Sequence, residues 1–84
     1  MELETIKTKI KEAIHEVTGL DAATISDSAS YIDDLGLDSL AILEIAVAVE
    51  NQFKFHASDD ELSSIRTVED TIALVKRRIF AEVA

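Results

Sequence analysis

The chain has 84 residues, 17 acidic against 8 basic side chains, a formal net charge of -9 and no cysteine. A chain of this length buries only about 60% of the surface its unfolded form exposes, so residues 1–84 are expected to form one domain of modest stability. Without cysteine there is no disulfide, thiolate metal site or thiol nucleophile, and the acidity excludes nucleic acid, whose affinity comes largely from basic side chains neutralising phosphates.

In chain order, Met1-Glu2-Leu3-Glu4 carries acids where a secretory signal has a basic n-region, so no such signal is expected. Leu3, Ile6, Ile10, Ile14 and Val17 then recur at three or four residues, with Lys7, Lys9, Lys11, Glu12 and Glu16 on the other faces. That spacing predicts an amphipathic first helix. Gly19 stands where a left-handed residue would end it. From Leu20 to Leu37 the chain is rich in Asp, Ser and Ala, with Ile25, Tyr31, Ile32 and Leu35 among them. Such a length reads as a long connection pinned to the core by those four side chains, because an unanchored loop of this size is unusual in a compact domain.

A second helix is predicted from Asp38 or Ser39 to about Phe53. The Asp38 carboxylate suits an N-cap, since it can accept from backbone N–H groups exposed at a helix start. Leu40, Leu43, Val47 and Glu50 fall on one stripe, and Ala41, Ile42, Ile45, Ala46, Ala48 and Val49 spread apolar character well beyond it. Ile45, Val47 and Val49 also alternate as a strand would, but a run without Gly or Pro outlasts the usual strand of about 5–6 residues. A helix apolar on most faces is buried on most of them, or keeps one face for a ligand or partner. Ser58-Asp59-Asp60-Glu61-Leu62 reads as a short helical turn with a capping serine. Thr67 with Asp70 three residues on approximates a capping box, and Val68, Ile72, Val75 and Ile79 carry a last helix to the C-terminus. Lys76, Arg77 and Arg78 are expected near the negative end of its dipole. The fold class is therefore all-α: a small bundle of three main helices plus one short helix, with a long loop between the first two.

Ser39 is the outstanding residue, because it places an exposed hydroxyl at a helix start between an acid and apolar residues. By itself such a residue is more often an ordinary first-turn serine. The stretch Tyr31-Ile32-Asp33-Asp34-Leu35-Gly36-Leu37-Asp38-Ser39-Leu40, followed by an apolar helix ending Val49-Glu50-Asn51-Gln52-Phe53, resembles the acyl carrier proteins. Ile65-Arg66-Thr67-Val68-Glu69-Asp70 resembles that family's entry into its last helix, so the likeness runs from Leu3 to Val83. Asp-Ser-Leu alone is a weak signal. Its place after a long loop, opening the second helix of a small acidic chain, is much more specific.

The resemblance implies a non-catalytic carrier. A phosphopantetheinyl transferase would attach the 4'-phosphopantetheine arm of coenzyme A to Ser39, and the arm's thiol would hold acyl groups as thioesters. Partners would be acyl-transferring, condensing and acyl-processing enzymes of fatty-acid, polyketide or related lipid biosynthesis. Asp38, Leu40, Glu44, Gly36 and Leu37 are the corresponding partner-recognition residues, with Leu40 partly packed on the bundle and Leu35 in the core. The absence of cysteine fits, since the only thiol is the delivered one. A cytoplasmic monomer without membrane insertion is expected. The acidity favours basic protein partners, whose encounter complementary charge accelerates. Two departures bear on partners: Ala41 and Ile42 follow Leu40 where fatty-acid members are strongly acidic, and Lys54-Phe55-His56-Ala57 replaces a connection that is acidic and contains proline in many members. An unmodified acidic helical adaptor and a carrier of aminoacyl or peptidyl groups are the competing readings. His15, His56 and the scattered carboxylates show no metal-ligand spacing, Asp27 to Asp34 lacks the pattern of a calcium loop, and Ser39 has no spacing partner for a catalytic triad.

Overall fold

The computed structural model describes residues 2–83, with side chains described as far as Ile79. Helix α1 spans Leu3–Thr18, α2 Ser39–Phe53, α3 Asp59–Ser63 and α4 Val68–Val83, with one 3-10 turn at Ala22–Thr24 in the long connection. No strand occurs among the described residues beyond one isolated bridge between Ser30 and Thr67. The all-α bundle of three long helices and one short one is the architecture the apolar spacing predicts.

Each boundary has a local cause. Gly19 sits at φ +79°, and its N–H donates to the His15 carbonyl, ending α1. Glycine tolerates that left-handed conformation because it has no Cβ. Asp21 caps the 3-10 turn by accepting from the Ala23 N–H. The Ser58 hydroxyl accepts from the Glu61 N–H while the Glu61 carboxylate accepts from the Ser58 N–H, a full capping box on α3. Thr67 and Asp70 exchange the same reciprocal bonds at the start of α4.

The core is built from Ile6, Ile10 and Ile14 of α1, Ile45 and Val49 of α2, and Val68, Ile72 and Val75 of α4, all buried. Helix α1 packs against both α2 and α4. The long loop is anchored through buried Ile25 and Tyr31 and half-buried Leu35, whereas Ile32 is 55% exposed and anchors nothing. Tyr31 and Ile32 are adjacent, and only one of two neighbouring side chains can enter the core here; the aromatic ring takes the place.

Backbone bonds do the rest of the anchoring. The Tyr31 N–H donates to the Arg66 carbonyl at 3.1 Å and the Val68 N–H to the Ala29 carbonyl at 3.0 Å, which fastens the loop to the connection before α4. On the other side Asp27 takes both Lys7 and Lys11 at 2.7 Å. Those ammonium groups hold its carboxyl below the usual range.

Helix α4 continues to Val83, so its last turn carries no basic residue, and Lys76, Arg77 and Arg78 lie further from the negative end of its dipole than the sequence predicts. Arg78 instead reaches across to Glu61 of α3 and to the His56 carbonyl, and its guanidinium lies 5.9 Å from the centre of the Phe55 ring. The Ser58 and Arg78 hydrogen bonds hold the Glu61 carboxyl well down, at about 2 against an ordinary 4.5. A depressed carboxyl stabilises above its unfolded pKa, and that contribution is lost as pH falls through the folded value. Amide protection across α3 is therefore expected to fall between pH 4.5 and about 2, and Glu61→Gln should show the same loss at neutral pH in hydrogen exchange.

Candidate functional site

Helix α2 is where the site is built. Asp38, in extended conformation at the N-cap, accepts from the Ala41 N–H at 2.9 Å, and its carbonyl accepts from the Ile42 N–H at 3.1 Å. Ser39 is thereby fixed as the first helical residue, and its side chain is exposed. The Leu37 N–H, two residues earlier, donates to the Tyr31 carbonyl at 2.9 Å. The entry to α2 is thus tied to the buried ring through one backbone bond. Asp38→Ala is expected to cost about 1 kcal/mol by removing the cap, read as a lower midpoint in urea at unchanged slope.

The chain contains seven serines, and six of their hydroxyls are engaged. Ser26 and Ser28 bond each other, Ser30 accepts from the Asp33 N–H, Ser58 caps α3, and Ser63 and Ser64 donate to backbone carbonyls. Only the Ser39 hydroxyl has no hydrogen-bond partner among the described residues. It also stands beside N–H groups that have no partner within the helix, at the positive end of the helix dipole, where anionic oxygen is stabilised. The site therefore fits a phosphodiester on Ser39: a free, exposed hydroxyl beside open backbone donors, with the adjacent Asp38 carboxylate turned to Ala41.

Gly36 adopts φ +67°, and a Cβ placed there would meet nothing within 4 Å. Its requirement for glycine is conformational, and the space above it is open to an approaching protein. Of the other expected contact residues, Leu40 is 63% exposed, Leu37 is half-buried and Glu44 is exposed on the face of Leu40. Leu40, Leu43 and Val47 form an outward stripe, while Ile45, Ala46 and Val49 face the core. The apolar excess of α2 is thus divided between core and surface. Glu50, grouped with the stripe by periodicity, instead turns inward, where its carboxylate accepts from the Ala57 N–H at 2.6 Å and lies 3.4 Å from His56 Nδ1. That contact folds the Lys54–Ala57 connection back on α2, and Lys54 ends the helix in left-handed conformation at φ 58°.

A groove of about 590 Å³ opens beside Ser39, between α2, α3 and the long loop. Its apolar lining is Ile32, Ile42, Leu43, Ala46, Leu62 and Ile65. This explains the exposure of Ile32: it forms a groove wall. Periodicity cannot reveal the groove, since its lining comes from four separate segments. Among the described residues no group of His, Asp and Glu could hold a metal ion. No described helix is long and apolar enough to cross a membrane.

An all-helical bundle with a free serine opening its second helix beside a groove is the arrangement of a carrier domain, and comparison with known proteins makes the class specific. Residues 8–75 match the family described as "Phosphopantetheine attachment site". The chain is 35% identical over 74 residues to the acyl carrier protein of Solidesulfovibrio magneticus, covering 88% of this chain and 95% of that one. It is 38% identical over 68 residues to the acyl carrier protein of Thermobifida fusca, with 81% and 86% covered. With the meromycolate extension acyl carrier protein of Mycobacterium tuberculosis it shares 39% over 74 residues, covering 88% of this chain and 64% of the relative's length. The chain belongs to the acyl carrier protein family, whose prosthetic group is covalently bound phosphopantetheine.

Proposed function

We propose that residues 1–84 form one carrier-protein domain that holds acyl intermediates on a 4'-phosphopantetheine arm at Ser39 and presents them to enzymes of fatty-acid, polyketide or related lipid biosynthesis. The observation that carries this reading is the Ser39 hydroxyl, exposed and unpartnered where every other serine hydroxyl is engaged. The arm supplies a thiol that the sequence lacks. The chain's own residues do the positioning: Asp38 sets the helix start, Gly36 keeps the approach open, and the groove offers apolar shelter beside the attachment point. The protein itself carries substrate and catalyses nothing, acting as a monomer in the cytoplasm.

Partner recognition falls to Leu40 and Glu44 on the outward face of α2, supported by Leu37, Gly36 and Asp38 at its entry. Among those residues two acids flank apolar side chains, so partner surfaces should be basic at the edge and apolar at the centre. The partners are a phosphopantetheinyl transferase and acyl-transferring, condensing and acyl-processing enzymes. Incubating the apo protein with coenzyme A and a broad-specificity transferase, then recording intact mass, tests the assignment. A gain of one phosphopantetheine is expected. No gain under conditions that convert another carrier protein would leave the Leu40, Leu43 and Val47 stripe to an unmodified adaptor.

A further inference from the structure

The polar part of the groove lining is unevenly charged. It comprises Ser30, Asp33, Ser39, Asp59, Ser63 and Arg66, so among the described residues Arg66 is its only basic residue, in a chain where acids outnumber bases 17 to 8. Arg66 is held by its backbone on both sides: its carbonyl accepts from the Tyr31 N–H at 3.1 Å and its N–H donates to the Asp70 carboxylate at 2.9 Å. Its guanidinium forms no salt bridge among the described residues, whereas Arg77 and Arg78 both pair with Glu61. A fixed anchor with free planar donors therefore lines the same groove as the attachment serine.

Resting on the assignment of Ser39 as the attachment point, we propose that Arg66 is a specificity-determining residue that selects neutral acyl cargo bearing oxo oxygens over plain saturated acyl cargo. A guanidinium presents five N–H donors in a fixed fork and is weakly hydrated, which suits oxygen acceptors on a tethered chain. The tether matters. It replaces free binding by an intramolecular contact at high effective concentration, so one hydrogen bond becomes decisive. A saturated chain gains only the apolar wall and leaves Arg66 in water. An oxo chain gains the same wall and the charged donor besides, a bond of the kind that is stronger than neutral pairs. Asp33 and Asp59 on the same lining oppose a carboxylate-ended cargo by like-charge repulsion, which is why the selected class is neutral.

The test uses full-length protein carrying the arm, loaded in parallel with hexanoyl, 3-oxohexanoyl and adipoyl groups, with complete loading verified by intact mass. Failure of loading, read directly from the mass, would overturn the Ser39 assignment and with it the proposal that rests on it. With loading complete, thioester hydrolysis and the Arg66 Nε–Hε resonance are followed. The 3-oxo form is expected to hydrolyse about fivefold more slowly in wild type than in Arg66→Gln, the size of one hydrogen bond of about 1 kcal/mol, while the saturated form changes little. The Arg66 resonance should shift with the 3-oxo cargo and not with the arm alone. Arg66→Lys should restore part of the difference. Equal hydrolysis of the 3-oxo form in wild type and Arg66→Gln, an equal preference for adipoyl, or an Arg66 shift already complete with the unloaded arm would overturn the proposal.

Discussion

Ser39→Ala is expected to abolish loading completely while leaving the fold intact. Ser39 is exposed and its hydroxyl bonds to nothing, so the substitution removes no packing and leaves no buried group unpaired. The helix start is held by Asp38 through the Ala41 N–H, and alanine is the better helix former at the following position. Stability should therefore change by no more than about 0.5 kcal/mol, the usual range for a surface site. Intact mass after exposure to coenzyme A and a transferase reads the first expectation, and a urea titration reads the second. The two together separate a lost attachment point from a lost fold. A phosphopantetheine gain in the alanine variant would assign the arm to another serine, which would first have to give up the hydrogen bond each of the others makes.

How much of this is legible in the sequence depends on the range of the interactions. Asp38, Ser58 with Glu61, Thr67 with Asp70, and Gly19 act within three or four residues, so their roles can be read from spacing. The same holds for the buried apolar ladder of α1 and for the position of Ser39. Facing is less legible in α2, because a helix apolar nearly all round gives no contrast from which to choose the inward side. Leu40, Leu43 and Val47 share a stripe as the spacing indicates, but tertiary packing turns that stripe outward and draws Glu50 in to satisfy the Ala57 N–H. Ile32 looks like an anchor beside Tyr31, and only the fold shows which of the two enters the core. The groove and Arg66's place in its lining depend on four segments meeting, a long-range fact with no local signature.

Tyr31 fastens the long loop to the bundle, and its replacement should have the largest effect on stability. The ring is fully buried, and its hydroxyl lies 2.6 Å from the Thr71 hydroxyl on α4. Its N–H reaches Arg66 and its carbonyl receives the Leu37 N–H, so one residue ties the loop to α4 and to the entry of α2. Tyr31→Ala removes an aromatic side chain from a core with few others, at a cost of about 3–5 kcal/mol. A domain of this size has on the order of 4–13 kcal/mol in all, so much of the population should unfold under mild denaturant. Tyr31→Phe keeps the ring and strands the Thr71 hydroxyl, at about 1–2 kcal/mol. If the hydrogen bond is the cause, Tyr31→Phe combined with Thr71→Val should lose less than the sum of the single changes, since both partners are then removed. Burial also pushes the Tyr31 hydroxyl up to about 12 from 10.0. A raised folded value gives stability that is present below the unfolded pKa and lost as pH rises through the folded one. Wild-type stability should therefore decline between pH 10 and about 12 more steeply than that of Tyr31→Phe, which has no phenol to ionise. Equal alkaline slopes would mean that the ring is hydrated in solution and that the loop is held by its backbone bonds alone. In that case Tyr31→Phe should also load at Ser39 as wild type does, and the entry to α2 would owe its position to the Leu37 N–H rather than to the buried hydroxyl.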